Sequence, residues 1–109
     1  MVDGAEPYVV VVLSVQDVVL DPHARRVWRG GRELRLSRKE FDLLHALMRR
    51  SGEVVTRAEL MGEVWDTTFW SSSKTIDVHL GWLRRKLEDD PSSPALIKTV
   101  RGVGLLFVS

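Results

Sequence analysis

Cysteine is absent from this 109-residue chain, which excludes a disulfide framework and thiolate ligation of a metal and fits a reducing compartment. Long apolar runs are scarce as well. The only one, Tyr8 to Leu13, is far too short to cross a bilayer. The flank before it, M-V-D-G-A-E-P, carries acids where a signal peptide would carry bases. A cytoplasmic protein with no membrane partner is expected. Three histidines, His23, His45 and His79, lie far apart without ligand-like spacing, so no metal site is expected. His79, beside an apolar stripe, reads as a structural histidine satisfied within the fold. No Ser/His/Asp grouping is legible, the G-V-G near the end of the chain is not a phosphate loop, and Asp89-Asp90 reads as a solvated charge run after a helix. No catalytic residues, no cofactor and no enzymatic activity are expected.

What is present is the composition of an ordinary globular domain, 44% hydrophobic and 28% charged, long enough for one real core. The net charge is only +1, a weak sign of nucleic-acid binding by itself. Its distribution says more. From Met1 to Trp70, ten Lys and Arg stand against eleven Asp and Glu, whereas Ser71 to Leu87 carries Lys74, Arg84, Arg85 and Lys86 against Asp77 alone. The last strand pair adds Lys98 and Arg101 without an acid. At about 100° per residue, Ile76, Leu80, Leu83 and Leu87 fall on one stripe roughly 60° wide, which needs a core. Opposite lie Lys74, Val78, Gly81, Trp82 and Arg85, with Thr75 at the margin, a basic and partly apolar face suited to an anionic partner.

In chain order, residues 1–7 read as a linker or tag remnant and residues 8–109 as the domain. Y-V-V-V-V-L, D-V-V-L, R-R-V-W-R and E-L-R-L read as four short strands. Gly30-Gly31 marks a hairpin between the last two, giving a small antiparallel meander with Val27, Leu34 and Leu36 inward and the arginines outward. Ser37-Arg38-Lys39-Glu40 is a capping box that opens a first helix, with Phe41, Leu44 and Met48 buried and Leu43 and Leu47 beside them. E-V-V reads as a brief strand. Thr56-Arg57-Ala58-Glu59 is a second capping box, opening a helix through Leu60, Met61, Val64 and Trp65. Asp66 to Trp70 form a loop, and Ser71 to Ser73 offer caps to a third helix over about residues 73–87. Two prolines end that helix, and A-L-I-K-T-V, R-G-V-G and L-L-F-V make a hairpin in which Gly102 and Gly104 supply positive φ and Arg101 sits near the tip. The expected fold is α+β: a winged helix-turn-helix with an N-terminal four-stranded antiparallel sheet, three helices and a C-terminal β-hairpin wing.

T-I-D-V-H-L-G-W-L-R-R-K-L followed by I-K-T-V-R-G-V-G resembles the C-terminal DNA-binding domain of the OmpR/PhoB class of two-component response regulators. V-V-L-D-P, S-x-x-E-F-x-L-L and R-x-x-L-x-x-x-V-W match as well, so that the likeness covers about Val15 to Phe107. It implies sequence-specific double-stranded DNA binding and transcription regulation, with the third helix in the major groove. By position, it implies phosphate contacts from Arg57 and Trp65 on the second helix. Lys74, Thr75, Val78, Trp82 and Arg84 would face the groove or its walls, while the helical projection favours Arg85 over Arg84. Thr99 and Arg101 match wing residues, with Arg101 in the minor groove. The loop with Thr67, Thr68, Phe69 and Trp70 sits where the family contacts RNA polymerase. Direct repeats bound head to tail, a receiver domain and a sensor kinase are the other partners so implied.

The chain departs from the family at Gly81-Trp82, where relatives often carry basic or polar side chains, and at Leu105-Leu106, where the wing usually ends in an aromatic and a base. A tryptophan can pack on thymine methyls or the sugar-phosphate wall but cannot repeat a bidentate guanine contact. Trp82→Arg is therefore expected to change sequence preference more than affinity. Bland readings stand beside these: Trp82 folded against the wing, Arg84 to Lys86 as a solvated last turn, Phe69 and Trp70 as anchors for their own loop. Two other functions use the same domain, a transcriptional activator without a receiver and a protein-interaction module anchored by Trp82 and Trp70.

Overall fold

In the computed structural model, which describes residues 11–67, 72–90 and 92–109, the chain opens on the expected antiparallel meander. Its strands are β1 (Leu13–Val15), β2 (Val18–Asp21), β3 (Arg26–Arg29) and β4 (Arg32–Leu34), in that spatial order. Three helices follow, α1 (Arg38–Met48), α2 (Arg57–Trp65) and α3 (Lys74–Leu87), with β5 (Val54–Thr56) between the first two. The hairpin β6 (Ile97–Val100) and β7 (Gly104–Phe107) closes the chain. Both capping boxes form: the Ser37 and Thr56 side chains accept from Glu40 N and Glu59 N, and each glutamate reaches back to the cap N–H. No helix among the described residues is long and apolar enough to cross a membrane.

Several expectations need correcting. Of the expected first strand, Tyr8–Leu13, only Leu13 falls in a described strand. Residues 1–10, which include the expected leader, lie outside the described residues; Val11 and Val12 are exposed, and β1 begins only at Leu13. Gly30 and Gly31 both have positive φ, as a tight two-residue hairpin requires. Gly104 does not; it pairs with Thr56, and a Cβ there would lie 2.0 Å from the Val55 carbonyl oxygen. Of the two wing glycines, only Gly102 supplies the turn. Because β5 pairs with β7, the wing belongs to a three-stranded sheet of order β5-β7-β6.

The core is one cluster. Ile76, Leu80, Leu83 and Leu87 of α3 are buried together with Phe41, Leu43, Leu44, Leu47 and Met48 of α1 and Leu60, Met61 and Val64 of α2. Val18, Leu20 and Val27 close it on the meander side, and Val55, Ile97, Leu105 and Phe107 on the wing side. Asp89, expected in solvent, is 4% exposed: Oδ1 accepts from Ala95 N and Leu96 N and Oδ2 from Ile97 N. A carboxylate that takes several backbone donors offsets its own desolvation, and here it secures the entry to β6. Only Asp90, in a turn with Ser92, is the solvated acid of the pair.

Candidate nucleic-acid interface

The buried stripe of α3 determines what its other side presents. With Ile76, Leu80, Leu83 and Leu87 turned inward, Lys74, Val78, Gly81, Trp82 and Arg85 are all exposed. Val78 and Trp82 are 47% and 43% open to solvent, unusual for large apolar side chains in the middle of a helix. Thr75 is half-buried beside them. The caps differ from expectation: Ser73 precedes the helix but makes no side-chain cap, while the Ser72 hydroxyl accepts from Lys74 N at 3.2 Å. Ser73 Oγ instead accepts from Arg57 at 3.2 Å; Ser71 lies outside the described residues.

The wing is fastened to α3 by Arg84. Its guanidinium donates to the Ile97 carbonyl at 2.7 Å and to Thr99 Oγ1 at 3.3 Å, so two of the expected site residues meet each other. Burial lowers its pKa from the usual arginine value, against the pull of Asp89, and the group remains a cation. Arg84 is thus a strut between helix and wing, and Arg85 is the arginine that faces outward, as the helical projection favoured. Between α3 and the wing runs a groove of about 340 Å³ lined by Asp77, Leu80, Gly81, Arg84, Arg85, Asp89 and Thr99. Arg101 is exposed in the wing turn, whose reversal rests on Gly102 at φ +76°.

Arg57 opens α2 and donates to Asp77 at 2.7 Å. That pair ties the two helices and neutralises the one acid on the outer part of α3. At the other end of α2, Trp65 is half-buried with its ring against His79, which in turn touches Trp82. Trp82 therefore leans on His79, within its own helix. His79 is satisfied as expected, its Nδ1 bonded to the Thr75 carbonyl at 2.7 Å. Thr67 is described, half-buried after α2; Thr68, Phe69 and Trp70 fall outside the described residues.

Most of the arginines outside α3 and the wing are paired with carboxylates. Arg25, Arg26, Arg29, Arg32, Arg49 and Arg50 each have a carboxylate partner, and Lys86, expected in a solvated last turn, pairs with buried Glu40 at 2.6 Å. Among the described residues, Lys74 and Arg85 on α3 and Lys98 and Arg101 on the wing have no such partner. Arg35, Arg38 and Lys39, ahead of and at the start of α1, and Arg84 on α3 share that state, although Lys39 and Arg84 donate to carbonyls. Lys98 was visible in sequence as part of the local excess, and it is exposed on β6.

Three packed helices, the last presented beside a glycine-turned hairpin and carrying unpaired cations on its outer face, define a winged helix-turn-helix domain. The chain belongs to the OmpR/PhoB-type family described as "Transcriptional regulatory protein, C terminal", which matches residues 31–107. It is 46% identical over 92 residues to the transcriptional regulatory protein TcrA of Mycobacterium tuberculosis, covering 84% of this chain and 36% of that protein. Over 93 residues it is 46% identical to the alkaline phosphatase synthesis transcriptional regulatory protein SphR of Synechococcus elongatus, covering 85% and 36%. The chain thus spans little more than a third of the length of these curated relatives. Among solved structures, the Klebsiella pneumoniae RstA DNA-binding domain in complex with the RstA box superposes with a TM-score of 0.84 at 34% identity, covering 89% of this chain and 96% of that one. The DNA-binding domain of CpxR from E. coli gives 0.81 at 37%, covering 91% and 97%.

Proposed function

We propose that this chain binds duplex DNA sequence-specifically and regulates transcription as the effector domain of a two-component response regulator. The observation that carries the reading is the exposed outer face of α3, where Lys74 and Arg85 have no carboxylate partner and the one acid, Asp77, is paired with Arg57, beside a wing whose exposed Arg101 is likewise unpaired. A helix of this width enters the major groove of B-DNA, and a wing arginine fits the narrow, electronegative minor groove beside it. Lys74 and Arg85 then meet phosphates along the groove walls, Arg57, Trp65 and Thr99 contact backbone at the flanks, and Arg101 enters the minor groove. Thr75, Val78 and Trp82 face base edges. Phosphate contacts fix register and the base edges supply specificity.

A single module of this kind buries only about 600 to 1,000 Å², so tight binding calls for two copies, arranged on direct repeats. The loop through Thr67, Thr68, Phe69 and Trp70 is our candidate for touching RNA polymerase. A receiver domain under a sensor kinase belongs to the same reading, as does a cytoplasmic location. The exposed Trp82 supports one competitor, a domain that anchors a protein partner through that ring.

Selection of duplexes from a random pool, followed by affinity against salt, tests the proposal. The logarithm of affinity should fall with log salt at about −0.9 per phosphate contacted. Arg85→Gln and Arg101→Gln should each flatten that slope by about 1, with unchanged melting temperature. Arg84→Met should lower the melting temperature first, because it unfastens the wing. Binding without salt dependence would refute the DNA reading, and a partner protein still held after Arg85→Glu and Arg101→Glu would favour the competitor.

A further inference from the structure

A ladder of side chains from all three helices ends on the exposed face of α3. On α1, Lys39 donates to the Val64 carbonyl at 2.5 Å and lies 5.9 Å from the Trp65 ring centre. Trp65, closing α2, meets the His79 ring edge-on, with centroids 5.2 Å apart and planes at 72°. His79 meets Trp82 in the same manner, at 5.0 Å and 66°. The imidazole is itself held. A carbonyl oxygen only accepts, so His79 Nδ1 carries the proton and donates to Thr75 O at 2.7 Å. Trp82 is thus backed by a fixed ring while 43% of it stays open, and Val78, 47% open, lies one turn earlier on the same side.

The chemistry of this surface narrows what it can read. Valine has no polar group and tryptophan only one donor, so neither makes a bidentate contact with guanine or adenine. In the major groove, the base-edge feature an apolar surface complements is the C5-methyl of thymine. We propose that Trp82, backed by His79 and extended by Val78, is a methyl-reading platform. It selects thymine at the central steps of the site, and accepts there 5-methylcytosine, which carries the same methyl at the same ring position. His79 touches no base and acts as a positioning residue. The inference rests on the DNA-binding reading above and adds the group that is recognised.

Uracil, introduced for one thymine at a time in the selected duplex, deletes the methyl and leaves the pairing edge and the minor groove intact. At one or two positions affinity should fall about fourfold, the equivalent of ~0.8 kcal/mol for one buried methyl-sized group. That loss should vanish in Trp82→Ala, which keeps the salt dependence. At the same positions a 5-methylcytosine–guanine pair should bind better than the unmethylated cytosine pair. His79→Ala should shrink the uracil penalty and His79→Phe, which keeps a flat ring, should restore it; equal losses on thymine and uracil duplexes would remove the positioning role. Circular dichroism and melting temperature check that each variant is folded. Salt-dependent binding that is indifferent to uracil at every position overturns the platform and leaves the DNA reading intact. Failure to select any duplex sinks both.

Discussion

Glu40 is 2% exposed at the third position of α1. Burial opposes its charge, but hydrogen bonds from Lys86 at 2.6 Å and from the Ser37 N–H at 2.8 Å outweigh it and hold the carboxyl below its ordinary value of 4.5. A carboxyl that ionises more readily in the folded than in the unfolded chain stabilises the fold above its unfolded pKa. That contribution is lost as pH falls through the folded value. Resistance to urea should therefore fall as pH is lowered from above the ordinary carboxyl value through the depressed folded one, and Glu40→Gln should remove part of that slope. Glu59, lowered by its bonds to Thr56, Glu33, lowered by Arg26, and Asp90, lowered by Ser92, contribute to the remainder. At neutral pH the substitution should cost about 1 to 3 kcal/mol, because the neutral amide oxygen that replaces Oε1 still accepts from Ser37 N but no longer carries the charge that pairs with Lys86. An unchanged pH dependence would show that the Lys86 pair does not act on folding. The capping role of Glu40 was legible because a capping box lies within four residues; its partner 46 positions on was not. Asp89 was misread for the same reason, since its three donors come from residues 95–97.

Among the elements, the wing shows two glycines serving different ends. Gly102 turns the chain at φ +76° with open space around it, whereas Gly104 lets β7 lie against the backbone of β5. No rotamer relieves a Cβ placed against a backbone carbonyl, so Gly104→Ala must push β5 from β7. It is expected to cost more than about 2 kcal/mol. Gly102→Ala should cost about 1 kcal/mol, for the positive φ alone. Comparing the two by thermal melting checks this, and equal losses would contradict the close approach. Glycine spacing in the sequence marked the hairpin correctly, yet it could not separate a turn glycine from a packing glycine. That distinction depends on β5, forty-eight residues earlier, pairing Thr56 with Gly104.

In the whole molecule, the N-terminal meander holds the end of α3. Arg29, expected to point outward, instead donates to the Leu87 carbonyl at the last turn of α3 and pairs with Asp17, while Arg32 pairs with Glu88. Gln16, at φ +53°, donates to the carbonyls of Ala95 at 3.0 Å and Val108 at 2.8 Å, so the same sheet also grips the base of the wing. A cation on the final carbonyls complements the helix dipole. Arg29→Met should speed hydrogen exchange in the last turn of α3 and cost about 1 to 2 kcal/mol. It should weaken DNA binding without flattening the salt slope, because no phosphate contact is removed. A flatter slope would mean that Arg29 itself meets DNA.

The sequence by itself determined the elements, the inward stripe of α3 and the outward face opposite it, because helical period, capping and hairpin glycines act over a few residues. It also determined that positive charge gathers late in the chain. Only the tertiary structure decided which of those charges remain unpaired. Lys86 turns to Glu40, Arg84 to the wing and Arg57 to Asp77, and these partners are 13 to 46 residues away. Packing likewise set Trp65 against His79, which touches Trp82 within its own helix, since Trp65 reaches that ring only when α2 packs on α3. Charge and ring contacts depend on distance in space, and separation along the chain does not reveal it.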